Sequence, residues 1–282
     1  MPELPEVETV CRGLAPVMEN NRFVRVEQRR GNLRIAFPEN FVARLKNRTI
    51  TALWRRAKYI VAELDNGEIL LMHLGMSGSF NIEEAPKTGI EAAGGAHDHV
   101  VFHMSNGARI TYRDPRRFGL MTLLDAKEMP THRLLKDIGI EPLGNELSGK
   151  FLSQCFKEKK SNLKAGLLDQ KNIAGLGNIY VCEALYRSHL SPLRRASTLC
   201  RNAERADALA TAIRAVLSDA IKAGGSSLND YVQTNGELGY FQHTFDVYGR
   251  EGEKCRRDDC SGKIKRIVQS GRSSFFCPKC QR

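Results

Sequence analysis

Residues 50–75 read ITALWRRAKYIVAELDNGEILLMHLG and carry the strongest indication of the fold. Apolar and β-branched side chains dominate both halves. An Asn-Gly pair at residues 66–67 separates them, which is a strong signal for a hairpin turn. The pattern recurs over residues 99–114, where HVVFHM and RITYRD flank a second Asn-Gly pair. Short β-rich stretches extend from about residue 24 to residue 124, so we predict an antiparallel β-sandwich or barrel.

Helical spacing is found on both sides of this β-rich region. In MPELPEVETVCRGLAPVM, residues 1–18, apolar side chains recur every three or four positions, and the proline and glutamates suit a first helical turn. Beyond residue 130 three further stretches have helical character: residues 151–159, 184–189 and 201–223. The last of them ends at two glycines. The segment NIEEAPKTGIEAAGGA, residues 81–96, has no periodicity and indicates a mobile insertion.

Composition favours a polyanionic partner. The chain of 282 residues has 43 Lys and Arg against 32 Asp and Glu, a formal net charge of +11, which supplies the sequence-independent attraction that nucleic acids exploit. No stretch approaches the roughly 20 apolar residues of a membrane helix. We therefore expect a cytosolic protein whose eight cysteines are reduced thiols or metal ligands.

Four cysteines near the C-terminus have the spacing of a zinc site. Cys255, Cys260, Cys277 and Cys280 form a C-x4-C pair and a C-x2-C pair sixteen residues apart. Four thiolates complete a tetrahedron and leave no position for a catalytic water, so the metal is predicted to be structural. The hairpin between the pairs is basic and indicates a phosphate-binding element, although solvated charges on a small exposed module would look the same.

The first residues also suggest covalent chemistry. Once the initiator methionine is removed, Pro2 is a secondary amine, and an α-amino group titrates near pH 8, so a useful fraction is an unprotonated nucleophile. A secondary amine that attacks a sugar carbon forms a cationic iminium, which favours elimination of neighbouring phosphates. Glu3 and Glu6 could transfer protons beside it. Acidic residues at the start of a helix are equally explained by the helix dipole.

Nine short motifs follow one another along nearly the whole chain: PELPEVET (2–9), RRAKYI (55–60), HLGMSG (73–78), HDHV (97–100), DPRRFG (114–119), GLGNIYVCEAL (175–185), GYFQ (239–242), VYGREGEKC (247–255) and CPKCQ (277–281). In these motifs and their order the chain resembles the formamidopyrimidine-DNA glycosylase family. The resemblance implies a multidomain α+β fold. It comprises an N-terminal β-sandwich with the N-terminal helix over residues 1–130, a helix-two-turn-helix domain over 131–235, and a β-hairpin zinc finger over 236–282.

The resemblance also implies roles for individual residues. Pro2 becomes the Schiff-base nucleophile, Glu3 the proton donor to the sugar or base, and Glu6 a supporting carboxylate. Lys58 matches the proton donor of β-elimination, and Arg272 matches the finger arginine of δ-elimination. The implied DNA contacts are Met76, Arg116 and Phe118 as a wedge at the vacated base, and His97, Arg117, Lys159, Lys164 and Asn178 on phosphates. For Lys159 and Lys164, the alternative is that their side chains lie on a solvated helix face.

The expected activity is removal of oxidised purines from duplex DNA followed by strand cleavage. It would need one structural Zn²⁺ and no organic cofactor, in a monomeric, bacterial, cytoplasmic protein that associates with the nucleoid when bound to DNA. Two alternatives remain open: an endonuclease VIII-like enzyme for oxidised pyrimidines, and a zinc DNA-binding protein without activity.

The lid loop and the first cysteine pair are two further points of comparison with the family. The loop SSLNDYVQTNGELGYF, residues 226–241, matches the family's lid over the extruded base, and its base-reading residues cannot be assigned. The family more often has a C-x2-C first pair, so we expect the knuckle here to bulge at residues 256–259 without losing zinc.

Overall fold

The computed structural model describes residues 2–83, 95–227, 234 and 236–282, and within them the chain begins with the predicted helix. Helix α1 (Leu4–Met18) buries one apolar face, formed by Leu4, Val7, Val10, Leu14 and Met18. Its first turn is a capping box, in which the backbone N–H of Glu3 donates to Oε2 of Glu6 over 2.8 Å. The glutamates that the sequence marks for chemistry therefore also fix the start of the helix.

Two antiparallel sheets of four strands each follow within the described residues. The first sheet has the order β1 (Phe23–Gln28), β6 (Asp98–Met104), β7 (Arg109–Arg113), β5 (Ser79–Glu83). The second has the order β2 (Ile50–Arg56), β3 (Tyr59–Leu64), β4 (Glu68–His73), β8 (Leu120–Asp125). Both sheets and α1 contribute to one buried apolar cluster, and the short helix α2 (Phe41–Leu45) packs against it. The prediction of a β-sandwich is confirmed.

Both Asn-Gly hairpins are confirmed as well. Gly67, with φ +81°, joins β3 to β4, and Gly107, with φ +87°, joins β6 to β7. Positive φ at these positions is sterically open to glycine and costs other residues energy. The chain therefore reverses its direction at glycines, for which a positive φ costs the least energy.

Other details of the β-rich region differ from the predictions. The stretch 50–64 is two strands joined by a tight turn, because Ala57 takes a left-handed φ of +54° and Arg56 pairs with Tyr59. The predicted insertion begins too early, since residues 81–83 belong to β5 and pair with β7. Residues 84–94 of that segment lie outside the described part of the chain.

One compact unit comprises Met1–Lys136 together with Ala223–Tyr240. The second of these segments is tied to the sandwich by backbone hydrogen bonds. The N–H of Ser226 donates to Oε1 of Glu6 over 2.9 Å, and the N–H of Ile82 donates to the carbonyl of Thr234 over 3.2 Å. Residues 228–233 and 235 of the predicted lid lie outside the described residues.

The other compact unit comprises Asp137–Lys222 and Phe241–Arg282. Its helices are α3 (Gly149–Phe156), α4 (Leu163–Leu168), α5 (Asn178–Arg187) and α6 (Ala203–Lys222). Side-chain caps start two of them: Ser148 accepts from the N–H of Phe151, and Asn162 accepts from the N–H of Ala165. The predicted helical stretches are confirmed in type but not in their bounds, and α4 was not predicted. None of the described helices is long and apolar enough to cross a membrane.

The last part of this unit is a two-stranded hairpin of β9 (Lys265–Gln269) and β10 (Arg272–Phe276). The segment that leads into this hairpin is fixed by Glu183 on α5. Glu183 is completely buried, and its carboxylate accepts the backbone N–H groups of residues 246–248 over 2.8 to 3.0 Å. Burial raises the pKa of Glu183, and the three amide hydrogen bonds act in the opposite direction. A buried acidic side chain therefore joins the helical region to the segment that leads into the cysteine module.

Candidate functional site

The candidate nucleophile lies directly before α1. Pro2 is buried, and the side chains that follow it, Glu3 and Glu6, are 3 % and 2 % exposed. The two oxygens of Glu6 accept amide hydrogens, one from Glu3 over 2.8 Å and one from Ser226 over 2.9 Å. Glu6 is thus fixed as an acceptor that orients the backbone of Glu3. Both oxygens of Glu6 are therefore engaged by backbone N–H groups.

Lys58 is held by a connection to the same helix. It occupies the turn between β2 and β3, where Nη1 of Arg55 donates to the carbonyl of Ala57 over 2.9 Å. Nε of Arg55 donates to Oε2 of Glu8 over 2.8 Å, and the Arg55 side chain is 8 % exposed. Since Glu8 lies on α1, an ion pair links the Lys58 turn to the helix that begins beside Pro2.

Glu8 is ionised in this arrangement. Burial alone raises the pKa of a carboxyl, but the hydrogen bonds and charges of Arg55 and Arg12 outweigh it and lower the pKa of Glu8 below its ordinary value. Neither Glu8 nor Arg55 was singled out from the sequence. The signal available was Arg55 within RRAKYI, next to the selected Lys58.

His73 is a further residue of this region that sequence reasoning missed. Its ring packs against Tyr59 at a centroid distance of 4.9 Å, and its Nδ1 accepts the N–H of Gly75 over 2.9 Å. Burial, followed by the positive charges of Lys58 and Arg34, lowers the pKa of His73 to about 4. The ring is therefore neutral at physiological pH and anchors the loop that carries Met76.

The predicted wedge residues lie on two loops in backbone contact, residues 74–78 and 114–119. A Cβ added to Gly75 would lie 2.3 Å from the carbonyl carbon of Phe118, so the two loops can lie this close only because residue 75 is glycine. The guanidinium of Arg116 lies over the Phe118 ring, 5.0 Å from its centroid, and that ring is 44 % exposed. The structure therefore brings an exposed aromatic ring and a cation together beside Met76.

The predicted contacts in the helical unit have different environments. Lys159 is exposed after the end of α3. Asn178 begins α5, and its Nδ2 donates to the carbonyl of Ser273 over 3.0 Å. Lys164 is 1 % exposed, and its ammonium donates to the carbonyl of Ser273 over 2.9 Å and to Oγ of Ser274 over 2.6 Å.

The burial of Lys164 corrects both interpretations made from sequence. It does not lie on a solvated helix face, and its ammonium is directed at β10 instead of outward to a phosphate. The run KEKKSNLK places it in a polar context, but α4 carries it inward, with Leu163 and Leu167 completely buried beside it. Lys164 and Asn178 together hold the carbonyl of Ser273, the residue after Arg272.

Arg272 is placed by the turn of the hairpin. Ser270, with φ +50°, and Gly271, with φ +73°, form a two-residue connection in which both central residues are left-handed, as a type I′ turn requires. Arg272 is the first residue after that turn and is exposed. The hairpin thus presents one arginine at its tip, with its backbone held from behind.

The four predicted cysteines form a metal site. The Sγ atoms of Cys255, Cys260, Cys277 and Cys280 all lie within 4.8 Å of one another. Two of the separations are 3.8 and 3.6 Å. A tetrahedral site with Zn–S bonds of about 2.3 Å has edges of about 3.8 Å, so the thiolates fit zinc. The prediction of one structural zinc is confirmed, because four sulfur ligands leave no open position for a substrate.

The C-x4-C departure is accommodated by a contact with α5. The Arg257 guanidinium stacks on the Tyr186 ring, 4.5 Å from its centroid, and donates to the Tyr186 carbonyl and to His189. The backbone N–H of Cys260 donates to the carbonyl of Arg257 over 3.1 Å and closes the bulge. The longer spacing of the first cysteine pair therefore includes Arg257, which attaches the zinc knuckle to α5.

Comparison with known proteins gives a consistent result. Family models match residues 1–121 (formamidopyrimidine-DNA glycosylase N-terminal domain), 138–232 (formamidopyrimidine-DNA glycosylase H2TH domain) and 252–282 (zinc finger found in FPG and IleRS). The formamidopyrimidine-DNA glycosylase of Beijerinckia indica is 60 % identical over 291 residues, and that of Bradyrhizobium sp. is 57 % identical over 293 residues. Both alignments cover the whole of both chains.

Solved structures agree with this assignment. Lactococcus lactis Fpg (MutM), in complex with DNA containing N7-benzyl-Fapy-dG, superimposes with a TM-score of 0.87 and 32 % identity over the whole of both chains. The MutM (Fpg) protein of Thermus thermophilus has a TM-score of 0.85 and 37 % identity, over 99 % of this chain and 98 % of that one. The chain therefore belongs to the formamidopyrimidine-DNA glycosylase family, whose enzymes are DNA glycosylases and abasic-site lyases.

Proposed function

We propose that this enzyme excises oxidised purines, 8-oxoguanine and formamidopyrimidines, from duplex DNA through a Schiff base on Pro2, and then cleaves the strand by β,δ-elimination. The observation that carries the proposal is the placement of Pro2 at the start of α1, beside Glu3, with Glu6 fixing the Glu3 backbone. The names of the full-length relatives and the Fapy-dG DNA in a neighbouring structure support the choice of substrate.

The proposed chemistry begins with the unprotonated Pro2 nitrogen, which attacks C1′ of the damaged nucleotide. The bond between C1′ and the base breaks, and the Pro2 nitrogen releases the proton that it carried. The bond between C1′ and the ring oxygen O4′ then breaks and opens the sugar, and Glu3 donates a proton to the leaving base or to O4′. The product is an iminium between Pro2 and C1′, because a secondary amine cannot form a neutral imine. Glu3 suits this part because it is buried beside Pro2 and its backbone is fixed by Glu6.

Strand cleavage follows from the iminium, which acts as an electron sink. Loss of a proton from C2′ expels the 3′ phosphate, and a second elimination expels the 5′ phosphate. We assign proton donation in the first step to Lys58, which the Arg55–Glu8 ion pair holds beside α1. We assign Arg272 to the phosphate in the second step, since it is exposed at the tip of the hairpin. Zinc supplies no chemistry in this scheme and holds the cysteine module folded.

DNA binding in this proposal combines phosphate contacts with a wedge. We assign the phosphate contacts to four exposed basic side chains: His97, Arg117, Lys159 and Arg272. Met76, Arg116 and Phe118 fill the space that an extruded nucleotide vacates, and the Arg116 donors face the orphaned partner base. Asn178 helps through its backbone position at the start of α5. The burial of Lys164 assigns it to the support of β10 and not to a phosphate.

Borohydride trapping tests the proposal. The purified protein is incubated with a duplex carrying one 8-oxoguanine opposite cytosine, with thymine glycol and undamaged duplexes in parallel, and the adduct is mapped by mass spectrometry. We expect reduction to fix the sugar to the amine of Pro2 on the purine lesion, in protein from which Met1 has been removed.

Other outcomes of the trapping experiment have distinct meanings. A preference for thymine glycol would assign the enzyme to oxidised pyrimidines. DNA binding without an adduct on any lesion would indicate a protein without activity. Trapping by a protein that retains Met1 would refute the assignment to Pro2, because the Pro2 nitrogen would then be an amide.

A further inference from the structure

Asp114 is completely buried at the start of the loop 114–119. Its Oδ1 accepts a hydrogen bond from the Ser77 hydroxyl over 2.6 Å. Its Oδ2 accepts from the N–H of Gly119 over 2.8 Å and from the Tyr112 hydroxyl over 3.3 Å. Each of these partners is a donor, so both carboxyl oxygens of Asp114 accept hydrogen bonds in this pocket.

The Tyr112 hydroxyl remains a donor at any physiological pH. Burial, followed by the charge of Asp114 and the hydrogen bond between them, raises the pKa of Tyr112 well above its ordinary value. The two residues are thus matched, an acceptor with a phenol that stays protonated.

The backbone of Asp114 fixes further segments. Its N–H donates to the carbonyl of His97 over 3.1 Å. Its carbonyl accepts from Nε2 of His99 over 2.8 Å and from the N–H of Arg117 over 3.1 Å. His99 is 1 % exposed, so its ring is part of the interior. One residue therefore connects His97, which directly precedes β6, the loop carrying Met76 and its own loop.

Ser77 extends this network to Arg116. Its Oγ accepts the N–H of Arg116 over 3.1 Å while its hydrogen points to Asp114. The fit is close, because a Cβ added to Gly119 would lie 1.8 Å from the Tyr112 hydroxyl. Position 119 therefore has no room for a side chain beside the Tyr112 hydroxyl.

The loop also stores backbone strain that needs support. Arg117 takes a left-handed φ of +57° between Arg116 and Phe118. Conformations of this kind are unfavourable for a non-glycine residue and persist where surrounding bonds support them. The hydrogen bond from the Arg117 N–H to the Asp114 carbonyl is such a bond.

We propose that Asp114 is the positioning residue of the wedge: through Ser77 and Gly119 it holds the loops of Met76, Arg116 and Phe118 in the one arrangement that enters the base stack. This inference rests on the proposed function, because a wedge has a purpose only if a base is extruded. The role of Asp114 is confined to duplex substrates, since a single strand offers no partner stack to enter.

The test compares Asp114→Asn and Ser77→Ala with Asp65→Asn as a matched control. In Asp114→Asn, the new amide NH₂ group faces one of the groups that donate to Asp114 in the wild type. Ser77→Ala removes only the hydroxyl that links Asp114 to Arg116. Asp65 accepts the N–H of Thr49 over 3.1 Å in the same unit and belongs to neither loop. It therefore reports the effect of the same chemical change without the wedge.

Two single-turnover rates are measured for each protein: excision of 8-oxoguanine from a duplex, and cleavage of a single-stranded oligonucleotide with a preformed abasic site. A 2-aminopurine beside the orphaned base reports insertion into the stack. We expect Asp114→Asn and Ser77→Ala to lower duplex excision by about tenfold or more and to reduce the fluorescence change, because misplacement by about 1 Å is enough for such losses. Single-strand cleavage should stay within about twofold of wild type.

The outcomes are separable. If both rates fall together, or if Asp114→Asn behaves like Asp65→Asn, the positioning role is refuted. If Asp114→Asn does not fold, Ser77→Ala decides by the same two rates. The double variant should be no slower in duplex excision than Asp114→Asn, since both act through one link. If the wild type itself releases no 8-oxoguanine, the proposed function fails independently of Asp114.

Discussion

Glu3 and Glu6 lie within one helical turn of each other, but their side chains have different environments. Replacing each of them by glutamine should therefore have different effects. Both oxygens of Glu6 accept backbone N–H groups, so an amide there faces a donor, and Glu6→Gln should lower the free energy of unfolding by roughly 1–3 kcal/mol. Denaturant titration measures this. Glu3→Gln should mainly reduce the trapping rate with 8-oxoguanine DNA. Equal stability losses in the two variants would contradict the distinction.

The ion pair between Glu8 and Arg55 predicts a pH dependence of stability. The pKa of Glu8 in the folded protein lies below its ordinary value of 4.5, so its contribution is fully present above pH 4.5 and is lost as the pH falls through the folded pKa. Denaturant midpoints between pH 7 and pH 3 should therefore depend less on pH in Glu8→Gln. The exposed Glu39 provides the control, and a Glu39→Gln curve that flattens equally would refute the assignment.

Lys159 and Lys164 lie five residues apart in a basic run and should differ in their effect on salt dependence. The exposed Lys159 can release a counterion from DNA, so Lys159→Ala should reduce the slope of log Kd against log salt by about 0.9. Lys164→Ala should leave that slope unchanged and lower stability, because it leaves the Ser273 carbonyl without its ammonium donor. Fluorescence anisotropy at several salt concentrations measures the slope. Equal slope changes would contradict the burial of Lys164.

The role of a residue could be predicted from the sequence where its chemical type and spacing are nearly sufficient to define a site. The four cysteines were identified because thiolate spacing is nearly sufficient to define a zinc site, and they do gather within 4.8 Å. The burial of Lys164 could not be predicted, since it depends on which face of α4 meets β10. His73 and Asp114 were not identified from the sequence because Tyr59, which packs on His73, and Ser77, which donates to Asp114, are distant from them along the chain.

At the scale of elements, zinc removal should affect the cysteine module before the sandwich. The hairpin of β9 and β10 is too small to bury a core of its own, and the thiolates replace that core. Treatment with a chelator, or Cys260→Ser, should abolish protection of the hairpin amides and weaken DNA binding. The thermal transition of the sandwich should remain. Loss of the sandwich transition on metal removal would contradict this separation.

Turns show where sequence patterns are informative about elements and where they are not. The Asn-Gly pairs predict their hairpins because glycine makes a positive φ inexpensive. The turn at Ala57 carries no such signal: its φ is a left-handed +54°, and its carbonyl accepts a hydrogen bond from Arg55. Strands β1, β5 and β8 were not predicted individually, and each of them pairs with a strand that is remote in sequence.

For the molecule as a whole, the motif order predicted the family, whereas the domain boundaries of 131–235 and 236–282 remain a prediction. Contacts divide the chain differently from any cut into consecutive pieces. The segment Ala223–Tyr240 belongs with the N-terminal sandwich, although Asp137–Lys222 and Phe241–Arg282 form the other unit on either side of it. No sequence pattern indicates this return, because it depends on contacts such as the one between Glu6 and Ser226.

That return has a consequence for biosynthesis. The sandwich needs Ser226 and Thr234 to complete its hydrogen bonds, and these residues are translated roughly 100 positions after Lys136. At about 5–20 residues per second, a ribosome takes on the order of 5–20 s to supply them. During that interval Glu6 has one carboxylate oxygen without its native amide partner. The start of α1, and with it the setting of Pro2, is therefore finished late in translation, after most of the helical unit has left the exit tunnel.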